Sequence, residues 1–116
     1  MGVTHAWKIW HNKTIPLEGL TSEKIPCSGF HDLMVYLHSP VNGYLDVLLD
    51  PSGESLHYYF ESGFYELDLT TAQRTVTANN LKVLQIELCK WAKIKFTPVA
   101  QAVVDAWVVG YAEGSD

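Results

Sequence analysis

The sequence predicts an all-β domain: a two-sheet antiparallel β-sandwich, jelly-roll-like, built from eight or nine short strands. Three observations carry this. Apolar runs of strand length recur at a spacing of roughly 8–12 residues, with Gly, Pro, Asn and Asp between them. The clearest run, residues 91–96, has a period of two: Trp91, Lys93 and Lys95 alternate with Ala92, Ile94 and Phe96. The lysines are therefore expected to face water while Ile94 and Phe96 face a core. No segment repeats its apolar residues at the helical period over a useful length.

In chain order, residues 3–11 alternate imperfectly and predict an edge-like first strand, with Trp7 and Ile9 on one face and Ala6, Lys8 and Trp10 on the other. Residues 13–26 carry Pro16, Gly19 and Pro26, which predicts a loop with a short strand around residues 15–20. Pro16 confines that strand to an edge. In residues 30–38, Leu33, Val35 and Leu37 share one parity and Met34 and Tyr36 the other, so both faces are apolar and an interior strand is expected. Asn42-Gly43 is a strong hairpin-turn signal, with residues 44–49 as the return strand. Asp50-Pro51-Ser52-Gly53 predicts a second turn. Strands follow at residues 54–60 and 64–69, separated by the turn Glu61-Ser62-Gly63. Residues 70–80 are polar and mostly small, and predict a long connection crossing between sheets. Three apolar runs, residues 81–88, 91–96 and 102–111, complete the domain. Thr97-Pro98 ends the middle run, because proline cannot donate to a ladder. The last is dense in β-branched and aromatic residues, which suit a covered strand.

At 116 residues the chain predicts a single domain over 1–116. That is enough to bury a core without metals or many disulfides. Hydrophobic residues make up 47% and charged residues 18%, the balance of a globular chain. The net charge of −5 argues against a general nucleic-acid binder, which needs a basic footprint. The N-terminus lacks the basic start and apolar stretch of a secretory signal. No run approaches the roughly 18 apolar residues of a membrane span. A soluble protein made inside a cell, not secreted and not in a membrane, is the expectation. Cys27 and Cys89 are then read as two small buried residues, since nothing favours a disulfide without a secretory signal.

No catalytic signature is present. The five histidines, His5, His11, His31, His38 and His57, show no metal-ligand spacing. Gly-x-Ser-x-Gly is absent, and Ser28 and Ser62 sit in turn sequences. Carboxylates are plentiful, but any β protein with polar outer faces shows as many, and sequence does not give their separation. There is no phosphate-binding loop and no dinucleotide fingerprint. No catalytic residue, metal or cofactor is assigned.

Two surface features remain. Trp7, Trp10, Tyr58, Tyr59, Tyr65 and Trp91 are candidate contacts for a protein partner or a glycan, while Trp107 and at least one of Trp7 and Trp10 are expected in the core or a subunit contact. Charge is also segregated. Residues 43–70 hold six acidic residues and no Lys or Arg, whereas residues 82–95 hold four lysines and one acid, Glu87. Asp46, Asp50, Glu54 and Glu61 on one side, and Lys90, Lys93 and Lys95 on the other, either neighbour each other within one sandwich or lie on separate edges. In the second arrangement they would suit a head-to-tail ring.

Three segments carry a family resemblance: Gly-Phe-x-x-Leu-x-Val-Tyr-Leu at 29–37, Phe-Tyr-Glu-Leu-Asp-Leu-Thr at 64–70, and Ala-Lys-Ile-Lys-Phe-Thr-Pro at 92–98 leading to Ala-Trp-Val-Val at 106–109. Their order resembles small jelly-roll-like virion proteins of tailed bacteriophages, the decoration (cement) and tail-associated kind. That resemblance implies a non-enzymatic homo-oligomer, a trimer favoured, that clamps neighbouring capsid or tail subunits in the virion. It implies synthesis in the host cytoplasm and makes residues 1–28 a partner-contacting arm. The alternative is a carbohydrate-binding β-sandwich module with an exposed aromatic face.

Overall fold

The computed structural model describes residues 2–50, 63–87 and 89–113, and every strand pair in it is antiparallel. The strands are β1 (Gly2–Ile15), β2 (Leu20–Thr21), β3 (Ile25–Pro26), β4 (His31–His38), β5 (Gly43–Asp50), β6 (Tyr65–Glu66), β7 (Thr75–Val76), β8 (Leu81–Gln85), β9 (Trp91–Pro98) and β10 (Ala102–Glu113). One helical turn, α1 (Thr71–Arg74), precedes β7. The first sheet has the order β1-β10-β4-β8. The second is centred on β9 and β5, with β2 and β3 along the outer side of β9 and β6 and β7 along the outer side of β5. Taking each split edge as one broken strand, the chain alternates between sheets in the order of a jelly roll. The broken edges are also why ten strands appear rather than eight or nine.

Alternation on β9 buries Ala92, Ile94 and Phe96 and leaves Lys95 exposed. The same rule buries Leu33, Val35 and Leu37 of β4, Leu45 and Val47 of β5, and Val104, Ala106 and Val108 of β10. These residues from both sheets form one core. Cys27 and Cys89 are both buried within it.

The turn assigned to Asn42-Gly43 does not make a hairpin. β4 is already paired on both sides, by β10 and β8, so β5 has no open edge there and passes to the second sheet. The Asn42 side chain instead accepts the Ala78 amide at 2.8 Å, and its carbonyl accepts the Val99 amide at 2.9 Å. Gly43 is required by proximity: a Cβ there would lie 2.6 Å from the Thr97 carbonyl oxygen and 2.7 Å from the Phe96 ring. Pro98 closes β9 opposite Gly43, two residues beyond the expected run of 91–96.

Other boundaries also moved. The short strand expected at residues 15–20 is absent. Ile15 ends β1, the Gly19 amide donates to the Pro16 carbonyl in a turn, and pairing resumes at Leu20. Of residues 64–69, only Tyr65 and Glu66 pair with β5, though the Leu67 amide still reaches the Val47 carbonyl. Residues 70–80 contain α1, held by a capping box in which Thr70 accepts the Gln73 amide and Gln73 returns the bond to Thr70. The strand and turns expected at 51–62 lie outside the described residues.

The break between β2 and β3 is spliced by a side chain. The Ser22 amide donates to the Ile94 carbonyl at 2.8 Å, and the Ile94 amide donates to Ser22 Oγ at 3.0 Å. That hydroxyl donates in turn to the Glu23 carbonyl at 2.9 Å. A hydroxyl thus replaces the missing backbone acceptor where the edge strand bulges away, and the buried amide of the central strand keeps its bond.

Candidate functional site

The core uses one parity of each strand in the first sheet, so the other parity points outward. Register defines rows across that outer face. Lys8 pairs with Trp107, Trp107 with Tyr36, and Tyr36 with Val83. The next row is Ala6, Val109, Met34 and Gln85. On the other side lie Asp105, His38 and Leu81. Residues directly opposite on one face are side-chain neighbours. Leu81, Val83, Val103 and Tyr111 are 58, 43, 50 and 36% exposed. Trp107, Tyr36, Met34 and Val109 are half-buried among them. The result is an apolar and aromatic surface on an open sheet, with Lys8 the one charged residue in its two central rows.

The rim of this face is polar and fixed. β1 bulges between Lys8 and Trp10 and again between Trp10 and Lys13. At the second bulge Asn12 takes a φ of 49°, and its amide donates to Asp105 Oδ1 at 2.9 Å. His11 Nδ1 lies 3.4 Å from the same oxygen.

A second feature is a groove of about 540 Å³ between β1 and residues 20–26. Trp7, Ile9, Trp10, Lys8, Lys13 and Lys24 line it. Beyond it Trp7 packs edge-on against Phe30 at 4.9 Å and against His5 at 4.5 Å, which closes that end of the core.

A third is an acidic pocket of about 380 Å³ formed by Asp46, Glu66, Leu67, Asp68, Leu69 and Arg74. Arg74 donates from Nε to Asp46 Oδ1 at 2.6 Å and from Nη2 to Oδ2 at 3.1 Å, and lies over the Tyr44 ring at 4.9 Å. The hydrogen bond and the charge of Asp46 hold the guanidinium above its usual pKa. Nearby on the chain, Lys82 Nζ donates to the Ala72 carbonyl at 3.2 Å, and partial burial lowers its ammonium pKa.

The sequence-derived candidates are scattered. Trp10 is in the core, as expected of at least one of Trp7 and Trp10, and so is no surface contact. Trp7 is half-buried in the aromatic cluster, and Trp91 lies beneath Lys24 Nζ at 4.3 Å. Tyr65 is exposed on β6, away from both. Tyr58, Tyr59, Glu54 and Glu61 lie outside the described residues. Asp46 and Asp50 are buried, so neither presents its charge to a partner. Asp46 is directly opposite Lys95 and Asp50 opposite Trp91, so the described members of the two charge strips are neighbours in one sheet rather than on separate edges. Lys93 covers the Phe64 ring at 4.3 Å, and Lys90 is exposed.

Residues 2–15 of the expected arm are the edge strand β1, paired with β10 along its length. Of the outer-face residues, Trp107 was expected in the core or a subunit contact, and Tyr36, Met34, Val109 and Val83 were not candidates. Their signal is the apolar second parity of residues 30–38 and 102–111, which is also what a doubly covered strand shows. Among the described residues, no three His, Cys, Asp or Glu side chains gather as a metal site would require. The chain matches no protein-family model, and no curated protein is similar to it in sequence.

Proposed function

We propose that this protein is a non-enzymatic structural component of a tailed-phage virion, a capsid decoration or tail-associated protein that binds and stabilises neighbouring subunits. The observation that carries this is the outer face of the first sheet. Trp107, Tyr36, Met34, Val109 and Val83 form a contiguous apolar surface that water wets at a cost and that a partner would cover. The jelly-roll order agrees with it, since capsid domains use that architecture, though lectins and cupins do as well. The test is fractionation of particles from a phage that encodes the chain. The protein is expected to sediment with virions, and the Trp107→Lys variant to be left in the soluble fraction. Recovery of the wild-type chain only in the soluble fraction refutes the proposal.

Carbohydrate binding is the second reading, favoured by the direct cross-strand pairing of Trp107 and Tyr36 on an open face. Aromatic rings set side by side suit the apolar faces of sugars. Tryptophan fluorescence that polysaccharides leave unchanged removes this reading.

A further inference from the structure

We infer that the outer face of the β1-β10-β4-β8 sheet is a two-fold interface between two copies of this chain, stacked sheet on sheet. This rests on the proposal above that the protein works by having this face covered, and it names the first thing that covers it.

The face fits itself. Stacked sheets lie about 10 Å apart with their strands nearly aligned. A two-fold axis running along the strands, midway between β10 and β4, sets β10 of each copy over β4 of the other. The observed rows then place Trp107 over Tyr36 of the second copy, Val109 over its Met34, and Asp105 over its His38. Each pair occurs twice, as a two-fold interface demands. Aromatic meets aromatic, aliphatic meets aliphatic, and the acidic rim residue meets an imidazole. The only charge in the central rows, Lys8, faces Val83 and Gln85 at the margin, clear of its own copy in the partner. No like charges meet.

The area is sufficient. Four strands about 4.8 Å apart, and nine residues of β10 at about 3.3 Å each, outline a face on the order of 500 Å². Two such faces together cover on the order of 1,000 Å², the lower bound of a specific interface. A centre whose single charge, Lys8, stands at its β1 margin, with Asp105 and His38 on the polar rim, is close to the usual anatomy of such a contact. The pairing closes at two copies, where the family resemblance implied three.

The test is mass by light scattering after size exclusion, over a micromolar to millimolar series. A dimer of the 13.0 kDa chain is expected. Met34→Glu and Val109→Glu should each weaken it about tenfold or more, while Val99→Asp, at an exposed site on the β9–β10 turn, should not. Far-ultraviolet circular dichroism confirms that the variants fold. Cross-linking gives a second measurement that needs no destabilising charge. Met34→Cys chains should be joined in pairs by a short bismaleimide, which spans the gap between sheets about 10 Å apart, whereas Val99→Cys chains should not. A monomer throughout the series overturns the inference, as does a dimer indifferent to both glutamates. Neither result touches the virion proposal, which the sedimentation of the wild-type chain with virions decides separately.

Discussion

Arg74 and Asp46 are 28 residues apart in sequence and form a two-bond ion pair, with nitrogen–oxygen distances of 2.6 and 3.1 Å. The Asp46 carboxylate is 11% exposed, in a segment of β5 that residues 64–74 cover. The pair therefore fastens α1 to the second sheet. Removing the cation strands a largely buried carboxylate, whereas neutralising the acid leaves an oxygen that still accepts. Arg74→Ala is expected to lower the melting temperature by several degrees, and Asp46→Asn by less. Thermal unfolding of the two variants side by side checks the order.

Ser22 supplies the acceptor for a central-strand amide. Ser22→Ala leaves the buried Ile94 amide without it, which costs about 1–3 kcal/mol. Urea unfolding should show a lower midpoint at unchanged slope. Hydrogen exchange at the Ile94 amide should accelerate beyond that of Phe96, which separates local loss of the bond from global destabilisation.

Gly43 sits where a methyl group has no room between Thr97 and Phe96. Gly43→Ala should destabilise by about 1–3 kcal/mol through overpacking. A hairpin-turn glycine would behave differently, because there the penalty would come from a left-handed backbone. Gly43 is not among the residues of positive φ, so Asn42→Gly, which changes only the neighbouring turn residue and keeps the backbone bond to Val99, should cost no more than the lost Ala78 tether and the added backbone freedom.

Lys82 is a group whose folded-state pKa lies below its ordinary value of 10.5, because burial penalises the ammonium. The unfolded chain therefore holds its proton to higher pH than the folded one. Stability contributed by this residue rises with pH between the depressed value and 10.5. The stability difference between wild type and Lys82→Met should shift in favour of wild type across that window and be flat at neutral pH. Urea titrations of both proteins at a series of alkaline pH values measure this directly.

Much of this architecture was legible in the sequence because burial has a period of two. Residues 30–38, 91–96 and 102–111 announced their strands, and the inward set from Leu33 to Val108 followed. Partner choice was not legible. Asn42-Gly43 carries a local turn signal, yet which strand lies beside β4 is decided by the core that β10 and β8 complete. The site was harder still. Trp10, between Ile9 and His11, reads as a surface-strand residue by simple alternation with Lys8, but the bulge between Lys8 and Trp10 shifts parity and sends Trp10 inward. The second apolar parity of β4 and β10 suggested coverage on both sides, and the described residues leave one side open. Thr70 and Gln73, spaced as a capping box, were a readable helix start in what looked like an unstructured connection.

The splice at Ser22 bears on how copies of this chain can meet. An intact, flat margin invites another strand to continue the ladder, and repetition of that event makes fibres. Here one margin of the second sheet is broken where residues 22–24 loop out, and the long margin of the first carries two bulges. Neither offers a regular template. Contact through the broad side, by contrast, consumes the sticky surface of both participants at once. A molecule so built self-limits: two of its borders are too irregular to seed growth and a third, β8, is only five residues long, while its smooth flank permits a finite pair.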